Sequence, residues 1–114
     1  MPFINTKTNI SLSRKQRETV KAELGEAITL IPGKTEKGLM VGFEDSCPLY
    51  LAGDCLEPCA VVEIKILNTT TQEAYDAMTK RTTEIISKSL CIDPARIYVI
   101  YHNAPAWGSN GANL

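Results

Sequence analysis

The sequence predicts an α/β fold in which duplicated β-α-β units form one four-stranded mixed sheet with two helices on one face. The chain has 114 residues, enough for one domain with a real core but not for two. Segments with strand and helix patterns follow the order strand, helix, strand twice. Two helix-capping patterns begin at Ser13 and Thr70. Pro2 and Cys59, where the units start, are separated by the same number of residues, which indicates an architectural duplication.

The first unit begins with a β-prone segment, Phe3–Thr8. Ser13–Gln16 (SRKQ) is a capping box, in which the serine and glutamine side chains satisfy free backbone N–H groups at the start of a helix. Pro32–Gly33 ends that helix, and Leu39–Phe43 is a second strand with a short hairpin partner at Leu49–Leu51. The residues of this helix predicted to be buried are Val20, Leu24, Ala27, Ile28 and Ile31.

The second unit repeats the pattern. Ala60–Ile66 is predicted to be a strand, and Thr70–Glu73 (TTQE) a second capping box. Asp93–Pro94 ends the helix that follows, and Arg96–His102 forms the last strand. The inward residues predicted for this helix are Ala74, Met78, Ile85, Ile86 and Leu90.

One face of such a sheet has no helices on it. Right-handed crossovers place both helices on the same side, while a segment such as Ala60–Val62 carries apolar residues on both sides. A large apolar sheet face does not stay in water. We therefore expect an oligomer that covers this face, in the form of a closed ring.

Composition excludes several classes of partner. The net charge is −1 and no run of lysine or arginine forms a stripe, so nucleic acid is not an expected partner. No apolar stretch approaches the roughly 20 residues of a membrane span, so no membrane association is expected. The start of the chain lacks the hydrophobic region of a signal peptide. We expect a cytoplasmic location, with non-classical secretion left open.

The cysteines do not form a metal-binding or redox pattern. Cys55 and Cys59 have a CxxxC spacing instead of CxxC, and His102 is the single histidine of the chain. We expect no metal site and no cofactor. Without a secretory signal, Cys47, Cys55, Cys59 and Cys91 are expected to be reduced and to serve as small apolar packing residues.

The most informative residue is Pro2, directly after the initiator Met1. Removal of Met1 would leave a secondary amine at the start of the chain. An α-amino group titrates near pH ~8, and burial in an apolar pocket lowers its pKa further. Such a base, poised near neutrality, suits proton transfer. A small second residue also simply permits methionine removal, so Pro2 alone does not decide between the two explanations.

Five short segments, in order, carry a resemblance to a known family. They are Met1–Pro2, Gly33–Lys34, Glu57–Ala60 (EPCA), Asp93–Tyr98 (DPARIY) and Trp107–Gly111 (WGSNG). The chain resembles the tautomerase superfamily from end to end, in its macrophage migration inhibitory factor and D-dopachrome tautomerase branch. The resemblance implies a single tautomerase domain over residues 1–114 and a homotrimer with active sites at the subunit interfaces.

The same resemblance implies a function and its residues. The reaction would be keto–enol tautomerisation of phenylpyruvate-like 2-oxo acids or of dopachrome-type substrates, without a cofactor. Pro2 would be the acid/base, and Lys34 would bind the substrate carboxylate. Leu67 would present a backbone N–H to the substrate, Tyr98 would enter the pocket from a neighbouring subunit, and Trp107 would line the entrance.

The chain departs from the family pattern at several positions. Ile100 replaces an asparagine, Gly38 an aromatic residue after the lysine loop, and Val62 the second cysteine of a CxxC present in some members. Ser109 stands where a tryptophan is expected, and Leu114 where a phenylalanine is expected. We expect the acid/base machinery to be kept and the substrate preference to differ.

Two alternatives stay open at the level of sequence. One is a non-catalytic, cytokine-like signalling or interaction protein on the same fold, whose receptor partner the residues do not identify. The other is a ferredoxin-like binding module without chemistry, which the same order of elements permits. Outside the family context, Lys34 would be a surface lysine that neutralises the carboxyl end of a helix.

Overall fold

The computed structural model describes residues 1–114, and its main feature is a four-stranded sheet. Its elements are β1 (Pro2–Thr8), α1 (Arg14–Ala27), β2 (Met40–Glu44), β3 (Ala60–Leu67), α2 (Gln72–Leu90) and β4 (Ile97–Ala104). A small hairpin of β5 (Gly108–Ser109) and β6 (Ala112–Asn113) follows. The strand order is β2-β1-β3-β4, in which β1 pairs in parallel with β2, β3 in parallel with β4, and β1 antiparallel with β3. The predicted mixed sheet of two β-α-β units is confirmed.

The amino terminus lies inside this sheet because β1 is hydrogen-bonded on both sides. On one side Pro2 is in register with Ile66, near the end of β3, and Thr8 with Ala60, at its start. On the other side Phe3 is in register with Met40. The first residues of the chain are therefore held by two neighbouring strands.

Both helices cover one face of the sheet and bury a single hydrophobic core. Alternate residues of β1 and β3 are buried, as a strand with one covered face requires. The ten helical positions predicted to face inward are all at most 5% exposed. Helix periodicity in the sequence therefore identified the packed faces correctly.

Two local predictions about the helices need correction. Helix α1 ends at Ala27, and the next turn, Ile28–Leu30, is a 3₁₀ turn that still buries Ile28. Helix α2 is capped by Thr71, whose hydroxyl accepts the N–H of Ala74 at 3.1 Å. Thr70–Glu73 is therefore not a capping box, because the helix begins one residue later and its third position is an alanine. The box at Ser13 is confirmed.

Leu49–Leu51 forms no strand next to β2, contrary to the prediction. Its only bridge joins Leu51 to Asp54. Ser46 and Ala52, on either side of the segment, have positive φ angles of 53° and 52°, so the backbone is not extended at these two positions.

The cysteines also differ from expectation, because only Cys59 is a buried packing residue while Cys55 and Cys91 are exposed.

The uncovered face of the sheet carries charges as well as apolar side chains. The ammonium of Lys7 lies 3.9 Å from Glu44 and 3.8 Å from Glu63. His102 Nε2 lies 3.3 Å from the other oxygen of Glu63. The exposed apolar residues Tyr98 and Ile100 lie on β4, the edge strand. The face is thus open, as predicted, but its centre is polar.

Neither helix is both long and apolar enough to cross a membrane. No group of three or more His, Cys, Asp or Glu side chains is arranged to hold a metal ion.

One buried hydroxyl generates a stability prediction. Thr82 in α2 is fully buried, and its hydroxyl has no hydrogen-bond partner in the chain. Thr82→Val keeps the β-branched shape and removes the unpaired polar group. We expect the free energy of unfolding to rise by about 1 kcal/mol, measured by equilibrium urea denaturation at fixed protein concentration.

Thr79→Val is the matched control in the same helix. The Thr79 hydroxyl is hydrogen-bonded to the Tyr101 hydroxyl at 2.8 Å, so its removal is expected to destabilise the protein. Equal losses of stability in both variants would contradict the prediction.

Candidate active site

A cavity of about 280 Å³ lies at the start of the chain, between β1 and the loop that follows α1. It brings together Pro2 and Lys34, the two residues predicted to be catalytic. The full lining is Met1, Pro2, Gly33, Lys34, Thr35, Lys37 and Gly38.

A tight turn positions Lys34 at this cavity. The backbone N–H of Lys34 donates to the carbonyl of Ile31 at 3.1 Å, which closes a turn through Pro32 and Gly33. Proline fixes φ at the second position of such a turn, and Gly33 has a φ of +81° at the third, where a residue without a side chain is favoured. Because Ile31 is buried in the core, the turn fixes the lysine to the rest of the fold.

Pro2 is buried at the first position of β1. Gly38 faces it across the cavity: a side chain added at Gly38 would contact the Pro2 ring at 3.9 Å and the Met1 sulfur at 3.3 Å. The missing aromatic residue at this position therefore leaves space directly beside the proline.

Met1 occupies part of the predicted substrate position. Its carbonyl accepts the backbone N–H of Leu67 at 3.4 Å, the group expected to bind substrate. Its α-amino group shares the cavity with Lys34. Burial, followed by repulsion from the Lys34 ammonium, lowers the pKa of this amine below its ordinary value of 8.0. While Met1 is attached, the nitrogen of Pro2 is a tertiary amide and cannot accept a proton.

Tyr98 lies far from Pro2 within one subunit. It is in register with Val61, whereas Pro2 is in register with Ile66. Val61 and Ile66 are about 17 Å apart along an extended strand. Tyr98 instead lines a second, mostly apolar cavity of about 250 Å³, together with Leu49, Tyr50, Leu51, Cys59, Ala60, Val61 and Arg96. The subunit alone does not unite the tyrosine with the proline.

Trp107 is not among the residues that line either cavity. It is half-buried between β4 and the carboxyl-terminal hairpin, and its carbonyl accepts the N–H of Leu114 at 2.9 Å. Its predicted role at the entrance of the pocket stays a prediction.

Sequence reasoning missed two residues near these cavities. Lys37 lines the Pro2 cavity together with Lys34, and the spacing of two lysines across a short 3₁₀ turn (Glu36–Gly38) was the available signal. Arg96 holds the loop beside the second cavity. Its guanidinium donates to the carbonyls of Pro58, Asp54 and Glu57 at 3.0–3.2 Å.

The profile of the macrophage migration inhibitory factor (MIF) family matches residues 1–114. The chain in the crystal structure of Leishmania major MIF2 is 31% identical in sequence to this chain. The two structures superpose over 100% of this chain and 97% of the MIF2 chain, with a TM-score of 0.93. The MIF homologue of Prochlorococcus marinus is 24% identical, with 97% of each chain covered and a TM-score of 0.81. No curated protein gives a significant match.

A more distant structure, described as a wild-type asymmetric trimer of R7 fused 4-OT, is 14% identical. The match covers 96% of this chain and 94% of the fused 4-OT chain, with a TM-score of 0.83. At this identity, the similarity shows only that the two proteins have the same fold. The family profile spans every element from β1 to the last hairpin. The chain belongs to the macrophage migration inhibitory factor family.

Proposed function

We propose that this protein is an isomerase that interconverts the keto and enol forms of 2-oxo acids such as phenylpyruvate, with Pro2 as the acid/base. The observation that carries the proposal is the shared cavity of Pro2 and Lys34, with the backbone N–H of Leu67 at its edge. A buried amine, a cation and a free N–H are the groups that such a proton transfer needs.

The reaction begins after removal of Met1. This removal frees the nitrogen of Pro2, the side chain of Lys34 and the N–H of Leu67 together, because Met1 contacts all three. Neutral Pro2 nitrogen takes a proton from the carbon next to the substrate carbonyl. The carbonyl oxygen becomes an enolate oxygen and receives that proton from the protonated Pro2. The Pro2 nitrogen is then neutral again, and the net change is an isomerisation.

Lys34 has two effects in this scheme. Its ammonium pairs with the substrate carboxylate and offsets the negative charge that develops on the enolate. It also lowers the pKa of the amine at the start of the chain, as the lowered pKa of the Met1 amine in the same cavity indicates. A lowered pKa favours the neutral form of the amine, which is the form that accepts a proton.

The complete site is proposed to form in a homotrimer, where Tyr98 of one subunit reaches the Pro2 cavity of the next. Three observations support this. Tyr98 is 56% exposed, it is remote from its own Pro2, and the fused 4-OT structure with the same fold is a trimer. The charged Lys7 and Glu63 and the polar His102 on the open sheet face fit a water-filled channel better than a dry interface.

Substitution of the proline tests the function. Pro2→Ala, prepared with Met1 removed, is expected to lower kcat/KM for phenylpyruvate by about 100-fold or more, since positioned acid/base groups contribute on this scale. The assay follows enol absorbance, and mass spectrometry verifies the amino terminus of each sample.

Protein that retains Met1 serves as the internal comparison and is expected to be inactive. Circular dichroism checks that the fold of each sample is unchanged. Full turnover by Pro2→Ala or by Met1-bearing protein would contradict the mechanism. It would favour the non-catalytic, cytokine-like signalling or interaction role.

The pH dependence of turnover follows from the same cavity. Activity requires neutral amine, so kcat/KM falls as the pH drops below the pKa of Pro2. Because the Lys34 ammonium lowers that pKa, Lys34→Gln is expected to move the acidic limb of the profile to higher pH. Lys15→Gln, on the exposed surface of α1, is the control and should leave the limb in place. An unmoved limb in Lys34→Gln would contradict the electrostatic role.

A mixing experiment tests the shared site. Pro2→Ala and Tyr98→Ala subunits are each expected to form weakly active trimers, with a mass three times the 12.5 kDa monomer. Equal amounts, unfolded and refolded together, should regain about a quarter of the wild-type activity, because one site in four pairs an intact proline with an intact neighbouring tyrosine. Activity that stays at the level of the separate variants would contradict a site shared between subunits.

A further inference from the structure

Two lysines without a carboxylate partner line the Pro2 cavity. Lys34 and Lys37 both belong to its wall, and neither forms an ion pair with any acidic side chain of the chain. No aspartate or glutamate is present among the lining residues. The cavity therefore offers two positive charges, where a simple 2-oxo acid presents one negative charge.

The acidic residue between the two lysines is turned away from them. The side chain of Glu36 packs against Gly25 in α1, so closely that a Cβ atom at Gly25 would overlap the Glu36 carboxylate. Glycine inside a helix is generally unfavourable. At position 25, however, the absence of a side chain leaves room for the Glu36 carboxylate outside the cavity. The two ammonium groups consequently remain unneutralised.

Met1 is the one hydrophobic residue among those that line the cavity. Once Met1 is removed, the wall contributed by this subunit consists of Pro2, three small or polar residues and the two lysines; the small or polar residues are Gly33, Thr35 and Gly38. Gly38 in particular has no side chain to pack on an aromatic ring beside the proline. This wall suits a small anionic substituent better than a phenyl group.

We propose that the preferred substrates are 2-oxo dicarboxylic acids, whose first carboxylate pairs with Lys34 and whose second pairs with Lys37. This inference rests on the proposed tautomerase function and names its substrate class. The chemistry is unchanged: the carbon between the carbonyl and the second carboxylate loses a proton to Pro2, and the enolate oxygen gains one.

Paired substrates test the preference. Turnover of oxaloacetate, a 2-oxo dicarboxylate, is compared with that of 2-oxobutanoate, which has the same four carbons and one carboxylate. Wild-type protein without Met1 is expected to favour the diacid in kcat/KM by about tenfold. Lys37→Gln should lower this ratio about tenfold through KM for the diacid, and the surface control Lys15→Gln should keep the wild-type ratio. A wild-type ratio near one, or a ratio unchanged in Lys37→Gln, overturns the inference.

Binding of unreactive acids separates this inference from the proposed function. Fumarate and crotonate share a carbon skeleton and differ by one carboxylate, and their dissociation constants are measured by NMR titration of the same proteins. Tighter binding of fumarate that disappears in Lys37→Gln supports the dianion site even if neither keto acid is turned over, a result that would overturn only the tautomerase function. Turnover of both keto acids with equal binding of fumarate and crotonate overturns only the dianion site.

Discussion

The position of the first strand inside the sheet is the constraint on which the site depends. Chain termini are commonly mobile unless a neighbouring element holds them. Here β1 is hydrogen-bonded to β2 from Phe3 onward and to β3 from Pro2 onward, so residue 2 is held by β3 and its neighbour by both strands. The backbone of Lys34 is held separately, by the hydrogen-bonded turn that links it to buried Ile31. A terminal amine and a lysine, both intrinsically flexible groups, are thereby held at a defined separation.

The fold could be predicted to a large extent because its strongest signals are local. Helical spacing identified the buried positions of α1 and α2, and the serine of the first capping box marks a helix start. The errors occur where two adjacent residues compete for one role, as Thr70 and Thr71 do. The segment at Leu49 was predicted to be a strand from its apolar residues, but positive φ angles at Ser46 and Ala52 depend on tertiary contacts that the sequence does not display. Asn110–Gly111, which joins β5 to β6, is a dipeptide typical of two-residue hairpin turns, so the last hairpin has a local signal in the sequence.

The candidate site was only half predictable. Pro2 and Lys34 follow from short motifs, and the cavity unites them. Lys37 could be inferred only from its spacing to Lys34, and the orientation of Glu36 could not be inferred, because it depends on how a 3₁₀ turn packs against a helix. The sheet face without helices was predicted correctly. The ion pair between Lys7 and Glu63 at its centre shows, however, that this part of the face can stay in contact with water and needs no apolar surface to cover it. Counting apolar residues on single strands overestimates how hydrophobic the assembled face is.

Gly25 has a consequence that extends beyond its own helix. It lies outside the Pro2 cavity, but its lack of a side chain leaves the space in which the Glu36 carboxylate rests. Any larger residue at position 25 would overlap that carboxylate and force it to move. A helix residue that does not line the cavity thus fixes the position of the acidic side chain that lies in sequence between two lysines of the cavity wall.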